Sequence, residues 1–369
     1  MPGVTLAELL GRLAVLLLFI TLTVLTLTYL ERKVLARIQQ RLGPMRTGPF
    51  GLLQPLADAL KLLVKEDLLP GRVDKVLFWT APLIVFVPAF VIWVTVPFTA
   101  DLVVRNLDLG VFFIVAVSTL SIPGMVIAGI SSYNKYALLG AARIAAQLIT
   151  YELPLVFAVL AVVMVAGSLD LREIVQQQSA LPYALVQPLG MVLVLLAGLA
   201  EVGRTPFDIP SAESELMGGP LIEYSGIHWA MFFLAEYANT FALAALVSLL
   251  FLAGWNGPGL PGWLEPASGP FWFLSKCYLV VALIFWLRSA LPRLRVDQLM
   301  EIGWKPLLSL SLVNLVLTGF YRFYQWPGGL MLGLSLLLLA GAIWGLVRRH
   351  RGASAKDRLR LVRREEFVL

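Results

Sequence analysis

Two glutamates, Glu152 and Glu236, stand inside long apolar runs of the chain. An ionisable side chain in such a place is expensive and usually functional. Removing a carboxylate from water disfavours its charged form, so a carboxyl held there suits proton exchange. A helix starting near Leu138, rising about 1.5 Å per residue, carries Glu152 about 21 Å along its axis; Glu236 lies about 12 Å into its own. Neither has a basic partner close in sequence. The plainer reading is a structural carboxyl hydrogen-bonded to Gln147, Tyr151 or Tyr237 on neighbouring turns. Two such acids, each beside a tyrosine, favour proton conduction.

A second concentration of acids is the stretch 201–227, with Glu201, Asp208, Glu213, Glu215 and Glu223 against Arg204 alone. Clustered carboxyls resist simultaneous ionisation, so some of them hold protons. The stretch also carries Pro206, Phe207, Ile209, Pro210, Leu216 and Met217. That composition favours a segment packed into a cavity over a solvated acidic loop. Arg32, Arg41 and Arg288 could line a polar part of a tunnel; pairing with the loop acids or with lipid phosphate is the blander use, and composition alone favours it.

Other chemistries lack their residues. Cys277 is the only cysteine, and the two histidines, His228 and His350, are far apart. One thiolate cannot hold an iron–sulfur cluster, and the ligands for a His/Cys zinc site are too few. Neither a dinucleotide-binding glycine fingerprint nor a phosphate-binding loop sequence is present. If the chain serves redox chemistry, its partners carry the electrons.

The elements that must position these residues are membrane helices. Of 369 residues, 59% are hydrophobic and 14% charged, where ordinary soluble domains carry about 25% charged residues. A span needs about 20 mostly apolar residues. Nine segments qualify: 13–30, 76–100, 109–132, 144–169, 181–200, 228–252, 271–287, 306–321 and 330–347. The expected fold is an all-α polytopic membrane bundle, one transmembrane domain over 1–347. Lys and Arg gather on the cytoplasmic side of membrane proteins. With the N-terminus outside and the C-terminus inside, 24 of the 29 basic residues fall on that side, including those of a basic cytoplasmic tail, 348–369, suited to lipid headgroups. The acidic loop 201–227 then faces the cytoplasm as well. The segment at about 50–65 is too short and too charged to span. Phe50, Leu53, Leu56, Leu60 and Leu63 recur at helical spacing among Asp58, Lys61 and Lys65, which predicts an amphipathic helix at the cytoplasmic interface. A plain connector helix has the same pattern. No internal repeat is visible.

Several stretches resemble one family. They are 29–44 (YLERKVLARIQQRLGP), 51–58 (GLLQPLAD), 60–66 (LKLLVKE), 201–215 (EVGRTPFDIPSAESE), 222–224 (IEY), 235–237 (AEY) and 292–300 (PRLRVDQLM). Together they resemble the signatures of the quinone-tunnel membrane subunit, the H subunit, of respiratory complex I, the proton-translocating NADH-quinone oxidoreductase. The resemblance runs from the first span through the eighth; the ninth and the basic tail extend beyond it.

The resemblance implies an inner (plasma) membrane protein that forms the membrane part of the quinone access tunnel, for ubiquinone or menaquinone. Headgroup reduction falls mainly to a partner protein, so no catalytic residue and no bound cofactor or metal is expected in this chain. Flavin and iron–sulfur clusters reside in partner subunits; other expected partners are the hydrophilic quinone-site subunits, the antiporter-like membrane subunits and lipid. Residue by residue, it places Arg32, Arg41, Arg288 and Phe207 at the quinone tunnel. Asp58, Glu152, Glu201, Glu213, Glu215, Glu223 and Glu236 fall in the proton relay; family members differ in which position around 211–215 bears the acid, which leaves the choice between Glu213 and Glu215 open. Phe207 and Asp208 are expected to face the hydrophilic subunits. The alternatives are the membrane anchor of an energy-converting hydrogenase, which would be marked by a nickel-binding partner, and a standalone cation/proton antiporter, which the missing repeat disfavours.

Overall fold

A computed structural model describes residues 6–208, 217–259 and 261–365. Its helices, in chain order, are α1 (Leu6–Ile38), α2 (Gln54–Val64), α3 (Lys75–Val91), α4 (Gly110–Ser118), α5 (Ser121–Ser131), α6 (Lys135–Ala166), α7 (Leu171–Gln177), α8 (Tyr183–Val186), α9 (Pro188–Val202), α10 (Gly226–Phe251), α11 (Ser268–Ala290), α12 (Val296–Ile302), α13 (Leu308–Phe323) and α14 (Gly328–Glu365). No strand occurs among the described residues. Eight stretches are long and apolar enough to cross a membrane: α1, α3, α4 with α5, α6, α10, α11, α12 with α13, and the first half of α14. The shorter apolar α9 joins them.

Local chemistry sets the ends. Asp74 accepts from the backbone N–H groups of Val76 and Leu77 and starts α3. Asn134 accepts from Tyr136 N–H and starts α6, which therefore begins nine residues before the apolar segment read from hydropathy. Gly203 ends α9 in the left-handed region at φ +72°, a conformation glycine adopts without a Cβ clash. Three spans differ from smooth rods. The third breaks between α4 and α5. The fifth breaks at Gln187–Pro188, leaving α9 only 15 residues long, because proline can start a helix but cannot continue one. The eighth begins earlier than expected, at Val296, and passes through a π-helical turn at Gly303–Leu307. Pro306 sits in that turn, where its missing N–H is accommodated by the wider winding.

The core centres on α6 and α10. α6 packs on α5, α9 and α13, and α10 on α3 and α11. The α5–α6 approach is tight: a Cβ at Gly129 would lie 2.3 Å from Ala141 Cβ and 2.7 Å from the Ala137 carbonyl oxygen. α10 is buried along nearly its whole length, with Phe241, Ala244, Ala245, Leu249 and Leu250 inaccessible. α14 is the opposite case, burying little beyond Met331 and Ser335 among its described side chains. α2 forms where the amphipathic pattern predicts a helix; Leu56, Leu60 and Leu63 are exposed along it.

Candidate functional site

The left-handed turn at Gly203 turns the chain out of α9 and delivers Arg204 into the bundle, where its side chain is 2% exposed. Arg204 Nη1 donates to both carboxylate oxygens of Glu31 on α1, at 3.2 and 3.1 Å. Its Nε lies 3.2 Å from Glu236 Oε1 on α10 and donates to Thr240 Oγ1 at 3.3 Å. The guanidinium carbon sits 4.2 Å from the Tyr237 ring centroid. On the other side of Glu31, Arg288 Nη1 at the end of α11 donates to Glu31 Oε1. Two arginines and two acids from four parts of the chain thus alternate in one row, Arg288–Glu31–Arg204–Glu236. Pairing is what makes burial tolerable, because an unpaired charge there would be costly. Burial alone would weaken Arg204's hold on its proton, but the Glu236 and Glu31 carboxylates more than reverse this and keep it cationic. Arg204 Nη2 is buried without a hydrogen-bond partner among the described residues. Nearby, Arg293 Nη2 donates to Asp208 Oδ2 at 3.2 Å.

Glu236, which has no basic neighbour close in sequence, finds one 32 positions away in Arg204. Its side chain is 40% accessible and lines a partly open cavity. The cavity, about 130 Å³, is lined by Glu201, Asp208, Glu236, Gln147 and Asn239 among apolar neighbours. A smaller cavity of about 50 Å³ lies beside it, walled by Ser118, Leu155 and Leu246. Glu201 and Asn239 line both, and Glu201 hydrogen-bonds Ser118. Glu152 is half-exposed on α6, within electrostatic range of Glu201. The polar residues on turns next to it are engaged elsewhere: Tyr151 OH donates to the Leu299 carbonyl at 2.9 Å, and Gln147 Nε2 donates to the carbonyls of Ala200 and Phe207, each at 2.8 Å.

The remaining sequence candidates fall into separate groups. Arg32 pairs with Asp58, which also accepts from Gln54 Nε2 at 3.0 Å, so α1 and α2 are tied together. Arg41 lies exposed beyond the end of α1, its Nε donating to Gln39 Oε1 at 2.8 Å. Phe207 is buried, its ring centroid 5.3 Å from that of Tyr151. Glu223 accepts from Asn134 Nδ2 at 2.8 Å at the edge of an open recess that also bears Arg72 and Lys135. Beside it, burial pushes the Tyr224 hydroxyl up to about 12, so it stays protonated; it donates to the Phe78 carbonyl at 3.3 Å. Glu213 and Glu215 lie outside the described residues.

Sequence reasoning misses Glu31 and gives Arg204 no role. The available signal is Glu31's place as the lone acid in a basic run at the end of an apolar segment, and Arg204's as the lone base in an acidic one.

A family model described as NADH dehydrogenase matches residues 11–319. The chain is 49% identical over 313 residues to a protein of Dehalococcoides mccartyi strain CBDB1, covering 85% of this chain and 86% of that one. It is 49% identical over 311 residues to one of Geobacillus kaustophilus strain HTA426 (84% and 91%), and 48% over 312 residues to one of Bacillus cereus strain B4264 (84% and 93%). All three relatives are named as the H subunit of NADH-quinone oxidoreductase. The family match stops before α14 begins.

Proposed function

The chain belongs to the NADH dehydrogenase family that contains the H subunit of NADH-quinone oxidoreductase, and from that premise we propose how its residues serve the complex. It is a multi-pass component of complex I in the plasma membrane, assembled with the other subunits of that complex, and quinone is the substrate. Within that frame the chain forms the membrane part of the quinone access tunnel, with Arg32, Arg41, Arg288 and Phe207 along it. NADH oxidation, flavin and iron–sulfur clusters belong to partner subunits. The N-terminus lies outside and the C-terminus in the cytoplasm, so the ends of α1 and α11 and the loop after α9 share the cytoplasmic side with α2.

The observation that carries this reading is the ion-paired row of Arg288, Glu31, Arg204 and Glu236 beside a cavity lined by three carboxyls. It gives charge at the tunnel a physical route into the bundle. Quinone reduction creates negative charge and a demand for protons. Arg288, 28% exposed, is the member of the network best placed to respond. When it turns toward that charge, Glu31 loses one of its two cations. Arg204 then carries the whole burden of Glu31, and its hold on Glu236 through Nε weakens. Glu236 faces the larger cavity, so a proton taken up there can pass to Glu201, which lines both cavities, and on toward Glu152 at the surface of the bundle. Asp58, Glu223, Glu213 and Glu215 feed the same relay from the cytoplasmic side. The coupling lies in interacting carboxyls that share a small number of protons and two arginines.

The test is Glu236→Gln. The amide keeps the shape and an acceptor oxygen toward Arg204 but cannot carry a proton. The complex assembles, and proton translocation and coupled quinone reduction fall together, read as a transmembrane pH gradient and NADH:quinone turnover in the same vesicles. Full pumping by that variant removes Glu236 from the relay.

A further inference from the structure

At the other end of α1 lies a groove that the quinone reading does not use. Its volume is about 580 Å³, and its walls come from three elements: the first turns of α1, the loop after α3, and the start of α11. Val15, Phe19, Phe98 and Leu274 line it. The walls are braced from behind. Phe98 packs edge-on against Phe19 at 5.1 Å and against Phe273 at 5.5 Å. The loop is pinned by Phe98 N–H donating to the Leu102 carbonyl at 2.9 Å and by Arg105 N–H donating to the Val94 carbonyl at 3.0 Å. A braced concave groove differs from the rest of α1's outer face, where Leu17, Leu18 and Leu22 stand exposed one by one.

Two opposite charges line the same groove, Arg12 from α1 and Asp101 from the loop. Both are exposed, and neither forms an ion pair with the other or with any described residue. From Arg12 to Glu31 is 19 residues of one continuous helix, roughly 28 Å at its regular rise. That is close to the thickness of a hydrocarbon core, about 30 Å. The buried network and this charged rim therefore stand at opposite boundaries of the membrane. A cation and an anion held apart at headgroup level, above an apolar slot running toward the membrane interior, match one kind of molecule.

We propose that this groove binds a zwitterionic phospholipid with a primary-amine headgroup. The phosphate lies at Arg12, the ammonium at Asp101, and one acyl chain lies in the groove between α1 and α11. A quinone offers the slot an isoprenoid tail but has neither phosphate nor amine for the rim. An anionic lipid satisfies Arg12 but meets repulsion at Asp101. The arrangement selects the lipid carrying both charges, through the same pairing rules that govern protein ion pairs.

The experiment uses the intact complex, purified in mild detergent and reconstituted in nanodiscs. These contain a trace of phosphatidylethanolamine bearing a photoreactive group on one acyl chain, or the matched phosphatidylglycerol probe. Cross-linked peptides are mapped by mass spectrometry. The expected result is labelling of the peptides around Val15 and Leu274, with the ethanolamine probe favoured about fivefold, the worth of roughly one charge at a membrane surface. Arg12→Gln lowers labelling by both probes; Asp101→Asn lowers it for the ethanolamine probe alone and so abolishes the preference. Leu274→Trp, which fills the slot without touching either charge, abolishes labelling by both and carries the test if a charge variant fails to assemble. Equal labelling by the two probes, competition by added quinone, or absence of labelling because a neighbouring protein of the complex covers the groove each overturns the proposal.

Discussion

Replacing Glu31 by Gln tests the ionic network at the point where it is most exposed to failure. Glu31 accepts from Arg204 through both oxygens and from Arg288 through one, with its side chain 4% exposed. The substitution leaves two arginines and one acid, a net buried charge of +1. Removing one partner of a buried pair costs about 3–5 kcal/mol. The low end applies here, because Arg288 is 28% exposed and can reach water, and Arg204 keeps Glu236. A loss of about 3 kcal/mol is a shift of about a hundredfold in the local folding equilibrium. Glu31→Gln should therefore lower the yield of assembled complex and its midpoint in a thermal inactivation series, measured on native gels and by NADH:quinone activity. Arg204→Gln errs the other way, leaving two acids and one base. Combining the two restores neutrality, with Glu236 opposite Arg288, so the double variant should be more stable than the sum of the singles predicts. That sign of coupling is the readout a purely steric role would not produce. Wild-type assembly in Glu31→Gln, or strictly additive losses in the double variant, would refute the charge-balance argument.

The Arg32–Asp58 pair contrasts with this. Its side chains are 44% and 34% exposed, so Arg32→Gln should cost at most about 1 kcal/mol and leave assembly intact; if Arg32 lines the tunnel, the KM for a short-chain quinone rises with kcat retained, which steady-state kinetics will show. Gly129→Ala should instead act on packing alone. Its new methyl would press on Ala141 and on the Ala137 backbone, forcing α5 from α6 at a cost of about 1–3 kcal/mol, visible as reduced membrane accumulation with normal turnover per assembled complex.

Where the sequence spoke clearly, it spoke through local rules. The apolar runs delivered the spans, and the 50–65 periodicity delivered α2. Glu236 stood out because a carboxyl in an apolar run is anomalous whatever the fold. The break in the fifth span was also local in cause, since Pro188 opens α9, but a hydropathy window averages over it. What remained hidden was pairing. Arg204 meets Glu31 across 173 positions and Arg288 meets it across 257. The basic neighbours of Glu31 mark it as unusual but do not name its partners, because those follow from how α1, α10 and α11 converge and from one glycine turn that aims Arg204 inward. The outward placement of Glu152 was hidden for the same reason: depth along a helix can be counted, but the direction a residue faces depends on which neighbours the helix acquires.

The ninth span stands apart from the working parts of the bundle. α14 starts beyond residue 319, where the family match ends, and it rests on the bundle mainly through Met331 and Ser335. The ionic network, both carboxyl-lined cavities and the apolar groove are complete without it. A bundle whose ion pairs and cavities do not lean on its last helix can let that helix shift or change in sequence without disturbing them, so alterations in α14 should leave the Glu31–Arg204–Glu236 contacts in place.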